Sequence, residues 1–397
     1  MQPETATALR AALIAQLERE GALHDPAVRT AMLAVPRHLF LPNEPLERAY
    51  ANDAIATKFA DGVSISSASQ PAIVALMLEQ LALAPGMNVL EIGAGTGYNA
   101  ALMRTLVGPG GQVTTVDIDA DITDAAREHL AAIGVSDVAV ITADGAVGYA
   151  PNAPYDRIIL TVNAGDIAPA WAAQLKAGGL LVLPLSVGAA QFSIAFEKRD
   201  GTLRSLSMQP CSFMPLRGSM GDDGTGSRAI SPRPGLRLTL SNTAAPDADA
   251  IAALLESAPT PHVIPGVRQG WFTALAFALS EPDGRFVSAF ITSEDARYGF
   301  VGHGYGIFDL TEGGGAVIRL ADAMDGTADM TTLAYGNAAT GAWLAAVLMR
   351  WEHQGAPRPQ DYTVTAFPAD ESITLPAGAS VIALPHWRLV FVARKET

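Results

Sequence analysis

The stretch Asn88–Leu102, NVLEIGAGTGYNAAL, decides the fold. Val89, Leu90 and Ile92 form a short apolar run of the kind that makes a buried strand, and the residues after Gly97 carry helical spacing. Between them stand Gly93, Gly95 and Gly97. Glycines at alternate positions let the backbone turn tightly and approach a ligand without Cβ clashes, while the following helix aims its free N–H groups at the same place. Such a turn alone also serves plain packing in many α/β proteins. A second signal agrees with a nucleotide-like ligand: Asp117 ends the next strand, VTTVDID, about twenty residues on, where a carboxylate can hold both hydroxyls of a ribose. The competing role for Asp117 is a helix cap.

Outward from this point, helices and strands alternate. The patterns predict helix 72–80, strand 88–92, helix 99–106, strand 112–117, helix 122–132, strands 138–142 and 157–162, helix 168–175 and strand 180–183. A βαβ series of this kind predicts an α/β fold, doubly wound and Rossmann-like, with a mostly parallel sheet and its ligand at the carboxyl ends of the strands. Upstream, Leu9, Leu13 and Leu17 mark a helix and DPAVRTAMLAVPRHLFLP a second, short one, so residues 1–70 read as a helical lead-in to a core over 71–217. Within the lead-in, DGVSISSASQP has little periodicity and reads as a loop over a site. Residues 218–235, rich in Gly, Ser and Pro, read as a linker. Residues 236–397 read as a separate α+β domain, with strand-like WFTALAF, RFVSAFI and AVIRL, a helix from Thr340 to Glu352, and closing strands YTVTAF and WRLVFVA.

Composition narrows the function. The chain has 397 residues, 49% of them hydrophobic, and a formal net charge of −14. Acidic residues outnumber basic ones on both sides of the linker, which disfavours nucleic acid and anionic membranes as partners. A lone cysteine, Cys211, permits no internal disulfide, and the seven histidines show no metal-ligand spacing. No metal site is expected. Without a secretory start or an apolar run of about 20 residues, the expected location is cytoplasmic. Cys211 reads as a small buried hydrophobe and Asp156 as a structural cap. His303, between glycines, reads as a turn residue.

An acid before GAGTG, rather than GxGxxG, resembles the S-adenosylmethionine-dependent methyltransferases. Five blocks in order, VPRHLFLP, SQPAIVALMLEQL, VLEIGAGTGYNAAL, ADGAVGYAPNAPYDRIIL and LKAGGLLVLPL, resemble the protein-L-isoaspartate O-methyltransferase family from about Val35 to Leu185. The resemblance implies S-adenosylmethionine as cofactor, held by Glu91, Gly93, Gly95, Gly97, Asp117, Asp144 and Gly145, the last pair on the adenine side. It also implies a serine set against a substrate carboxylate. The match before Gln70-Pro71 makes Ser69 the candidate, with Ser66 and Ser67 as competitors. Here AYANDAIATKFADGVSISSAS keeps Ala49, Tyr50 and Asp53 of the family's pattern but lacks its PLPIG run, so the substrate side has changed more than the donor side.

The implied reaction turns an aspartyl or isoaspartyl carboxylate of a peptide or protein into a methyl ester that can collapse to a succinimide. A carboxylate is ionised near neutral pH, so positioning suffices and no general base is needed. The long extension, with FVGHGYG and PHWRLVFVA, resembles family branches linked to modified-peptide pathways. That implies a precursor peptide as partner, with Trp271, Trp343 and Trp387 either in the core or on a peptide-binding face.

Overall fold

The computed structural model describes residues 2–60, 63–187, 190–221, 228–241, 248–265, 286–319 and 329–394. The lead-in is helical: α1 (Gln2–Arg19), α2 (Pro26–Ala34) and the short α3 (Leu46–Ala49). Asp25 starts α2 by accepting the Ala27 and Val28 N–H groups ahead of a first-turn proline. The expected loop before Pro71 is instead a hairpin, β1 (Ile55–Ala60) and β2 (Val63–Ala68), paired antiparallel. The sequence sets Asp61-Gly62 between these runs, a strong hairpin signal that serine-rich composition obscures.

From there the α/β series follows: α4 (Pro71–Leu81), β3 (Asn88–Ile92), α5 (Tyr98–Val107), β4 (Gln112–Asp117), α6 (Ala120–Ala132), β5 (Val138–Thr142), β6 (Tyr155–Leu160), α7 (Pro169–Gln174) and β7 (Leu175–Val187). Two further strands, β8 (Ala190–Arg199) and β9 (Thr202–Pro210), run antiparallel beside β7. The sheet is therefore mixed, with order β5-β4-β3-β6-β7-β8-β9 and parallel pairing from β5 to β7. Strand order reverses at β3 and β6, which opens a crevice at their carboxyl ends. Strand period sorts the cores: Val89, Ile159 and Val182 face the lead-in and α4–α6, while Leu90, Ile158, Leu160, Leu181 and Leu183 face the other side with Trp171 of α7.

The remaining strands are β10 (Arg228–Arg233), β11 (Leu236–Ser241), β12 (Thr260–Pro265), β13 (Val287–Ser293), β14 (Gly302–Asp309), β15 (Gly314–Arg319), β16 (Asp329–Gly336), β17 (Tyr362–Pro368), β18 (Ser380–Ala383) and β19 (Trp387–Ala393), with helices α8 (Ala248–Leu255) and α9 (Ala338–His353). The first seven of these strands form an antiparallel sheet, ordered β10-β11-β13-β14-β15-β16-β12. One face packs against α8 and the other against α9. Two boundaries expected from sequence need correction. Part of the expected linker is strand β10, with 222–227 outside the described residues. The last three strands do not belong to a separate domain: they extend the first sheet through β9 to ten strands, in the order β9-β17-β19-β18. Val364, Leu389 and Phe391 complete its core, and the Val364 N–H donates to Ser205 Oγ at 2.7 Å. Trp387 is buried there and Trp343 is half-buried against α9's core, while Trp271 lies outside the described residues. No helix among the described residues is long and apolar enough to cross a membrane.

Candidate active site

A cavity of about 830 Å³ opens at the carboxyl ends of β3, β4 and β6, within the size range of small-molecule sites. One wall of it is the glycine turn. Gly93 has φ +100° and Gly97 φ +85°, and a Cβ on Gly93 would lie 2.5 Å from Thr161 Oγ1. Side chains are excluded there by both conformation and space. The turn is held rigidly: the Gly93 N–H donates to Val116 O at 2.8 Å, and Thr161 Oγ1 donates to Gly93 O at 2.6 Å.

Asp117 reaches into the same cavity from the end of β4, its carboxylate accepting the Gly95 and Asp119 N–H groups at 3.2 and 3.3 Å. Burial pushes its carboxyl above the usual range. Gly145 also lines the cavity; a Cβ there would collide with Ile92.

Glu91 plays a different part from the direct binding expected of it. Although it borders the cavity floor, it is fully buried, and its oxygens accept from Thr115 Oγ1 at 2.6 Å and Asn99 Nδ2 at 2.8 Å. It ties β3 to β4 and to the start of α5. Burial raises its carboxyl to about 7 against the pull of those two donors. Asp144 is likewise taken up internally: it does not line the cavity, and its carboxylate accepts the Ala146 N–H at 2.9 Å and the Ser219 N–H at 2.7 Å. Burial works against its ionisation, but the hydrogen bonds from Ser219 and Ala146 outweigh it and leave the carboxyl below its ordinary range.

The opposite wall is the hairpin and the segment that follows it. Ser66, Ser67 and Ser69 all line the cavity. The Ser66 hydroxyl accepts from Thr57 Oγ1 at 3.1 Å and is buried. The Ser67 carbonyl faces Gly95, where a Cβ would sit 3.7 Å away. The half-buried Ser69 hydroxyl has no partner among the described residues. Cys211, just past β9, lines the cavity too, and burial holds its thiol at about 12, far from a reactive thiolate. Asp156 lies elsewhere, accepting the Asn88 N–H at 2.9 Å and pairing with Lys176 at 2.7 Å, as a structural cap would.

Three features escape a reading of the sequence. Arg37, 1% exposed, donates from Nε to Ala49 O and from Nη2 to Ser69 O, both at 3.0 Å, and lies over the Tyr98 ring at 5.1 Å. Its Nη1 is buried with no partner. Second, Lys58 of β1 pairs with Asp119 and Asp121 at 2.8 and 2.7 Å, while Arg217 binds Asp119 through both terminal nitrogens. These pairs fasten the hairpin and the post-β9 segment to the β4–α6 turn, beside Asp117. The third is Thr239 of β11, which brings the seven-stranded sheet to the cavity wall. An arginine inside the apolar block VPRHLFLP was a usable signal for the first, since a charge in such a block is rarely buried without purpose. The other two depend on tertiary contacts.

The protein-L-isoaspartate(D-aspartate) O-methyltransferase family model matches residues 8–221, more than half of the chain. A protein-L-isoaspartate O-methyltransferase from Hyperthermus butylicus is 40% identical over 221 residues, covering 53% of this chain and 90% of that protein. Another from Methanopyrus kandleri is 40% identical over 214 residues, covering 53% and 92%. A solved structure described as a protein-L-isoaspartate O-methyltransferase aligns over 90% of this chain and 96% of its own, at 25% identity and TM-score 0.52. With that match over more than half of its length, the chain belongs to the protein-L-isoaspartate(D-aspartate) O-methyltransferase family and is an S-adenosylmethionine-dependent methyltransferase.

Proposed function

We propose that the chain esterifies the free carboxylate of an aspartyl or isoaspartyl residue, the isoaspartyl one first, within a peptide or protein. The observation that carries this is the cavity itself, which sets an uncommitted serine hydroxyl, Ser69, on the wall facing the glycine cradle. Gly93 and Gly95 would seat the amino acid end of S-adenosylmethionine and Asp117 its ribose, with Gly145 beside the adenine, while Gly97, which does not line the cavity, packs closely on Ala126 of α6. When bound, this group supplies a sulfonium methyl that a carboxylate oxygen accepts. Ser69 donates a hydrogen bond to the acceptor carboxylate and turns one oxygen toward the methyl. Arg37, through the Ser69 carbonyl, fixes where that hydroxyl stands. Glu91 holds the cradle rather than the ligand. Because opposite charges are lost as the ester forms, exclusion of water by the hairpin favours the reaction.

Ser69→Ala is expected to lower kcat on an isoaspartyl peptide about tenfold while donor affinity stays within about twofold, the weight of one orienting hydrogen bond. Initial rates across donor and peptide concentrations check this. A loss of the same size in Ser66→Ala or Ser67→Ala but not in Ser69→Ala would reassign the role.

A second reading, tailoring of an aspartyl residue in a precursor peptide, draws on the altered serine hairpin. Rates on a mixed set of isoaspartyl peptides separate the two: broad turnover supports repair, and turnover of one co-expressed peptide alone supports tailoring.

A further inference from the structure

Among the described residues, the face of the seven-stranded sheet that bears Thr239 is only half covered. Cross-strand register puts Thr239, Phe290, Tyr305 and Ile318 in one row and Arg237, Thr292 and His303 in the next. Toward β15 and β16 this face is closed by α9, where Ile307, Ala316 and Ile318 pack against Leu344 and Leu348. Toward β11 and β13 α9 meets it through Trp343, packed on Phe286 just before β13 with ring centroids 4.2 Å apart. There Phe290 is 37% exposed and stacks on exposed His303 with ring centroids 5.5 Å apart. Thr292 Oγ1 lies 3.2 Å from His303 Nδ1, and the exposed Arg237 makes no ion pair among the described residues.

This strip, uncovered among the described residues, runs into the cavity at Thr239. We propose that it is the platform for the polypeptide flanking the methyl-accepting residue, a proposal that rests on the polypeptide reading above. Three features fit that occupant. The strip is continuous with the cavity in which the acceptor carboxylate would sit. It offers an aromatic stack for side-chain contact, with hydroxyl and imidazole groups for main-chain hydrogen bonds. It carries Arg237, which makes no ion pair among the described residues, at the approach of an anionic acceptor, on a chain whose net charge of −14 would otherwise repel one.

Two acceptors test it: a short isoaspartyl peptide that fills only the cavity, and the same peptide lengthened by roughly ten residues on each side, enough at about 3.3 Å per residue to cross the exposed strands. Phe290→Ala and, separately, Arg237→Glu should raise KM for the long acceptor about fivefold, the weight of one such contact. KM for the short acceptor, donor affinity and kcat should stay within about twofold in the same preparations, which also reports that each variant is folded. Unchanged KM for the long acceptor, or equal effects on both acceptors, would overturn the platform while leaving the carboxylate reading intact. Failure of the unaltered chain to methylate either acceptor would overturn both.

Discussion

A guanidinium buried to 1% exposure with no carboxylate partner among the described residues is costly, and the fold accepts Arg37 there because it joins three parts of the site: Ala49, Ser69 and Tyr98. Burial also pulls its ionisation below the ordinary range. Lysine keeps the charge but cannot reach two carbonyls with a planar fork. Arg37→Lys should therefore lower kcat about tenfold with donor affinity nearly unchanged, and initial rates beside a donor titration check it; an unchanged kcat would remove Arg37 from the positioning of Ser69. Glu91 gives a pH prediction. Its carboxyl stands at about 7 in the folded chain against an ordinary 4.5, chiefly because it is buried. Between those values the folded chain keeps a proton that the unfolded chain releases, so Glu91's contribution is most favourable below the window and declines as pH rises through it, by up to ~1.4 kcal/mol per pH unit. Glu91→Gln should flatten that decline in urea midpoints taken at about pH 5 and about pH 7.5; parallel slopes in the two proteins would contradict it. The glycines and Asp117 were legible in the sequence because backbone freedom and a strand-end carboxylate are local properties. Arg37 stood out only as a charge in an apolar block, since its partners lie 12 and 32 residues away, and Asp144 misled because Ser219, 75 residues on, takes up its carboxylate.

At the level of elements, the hairpin β1–β2 shows how composition can mask pairing. Four serines suggested a loop over the site, yet Ser66 and Ala68 turn inward and the strand pairs antiparallel with β1, with register shifts on either side of Lys58. Lys58 then pins it to Asp119 and Asp121. Partly exposed ion pairs add at most about 1 kcal/mol each to stability, so the strap's effect should be felt at the site. Lys58→Ala is expected to weaken donor binding about threefold with a melting temperature within a few degrees of the parent, as titration calorimetry and thermal melts would show. Undiminished donor affinity would mean that the hairpin needs no strap. The strand expected at 180–183 was short for another reason: Gly178 and Gly179 look like a turn, whereas β7 passes through Gly178 at φ +72° and runs from Leu175 to Val187. The βαβ elements were readable because each carries its own apolar period.

Across the whole molecule, the alternation of helices and strands disclosed the parallel half of the large sheet, but nothing local announced that residues 362–393 return to it. Strand pairing between β9 and β17 joins segments about 160 residues apart, and only tertiary packing specifies it. The consequence is that the family-matched region is not self-contained. A chain cut after residue 221 would leave β9 as an open edge and strip Val364, Leu389 and Phe391 from the core. Such a fragment should be recovered largely aggregated, judged by size-exclusion chromatography, and a monomeric, cooperatively melting fragment would contradict the shared sheet. The central claim, carboxylate methylation in the crevice at β3 and β6, is tested most directly by incubating the full chain with methyl-labelled S-adenosylmethionine and an isoaspartyl peptide. The expected result is label on that peptide that mild base releases as methanol, with none on the aspartyl counterpart in a repair enzyme. Donor binding without transfer to any carboxylate, or label that survives base, would contradict the account.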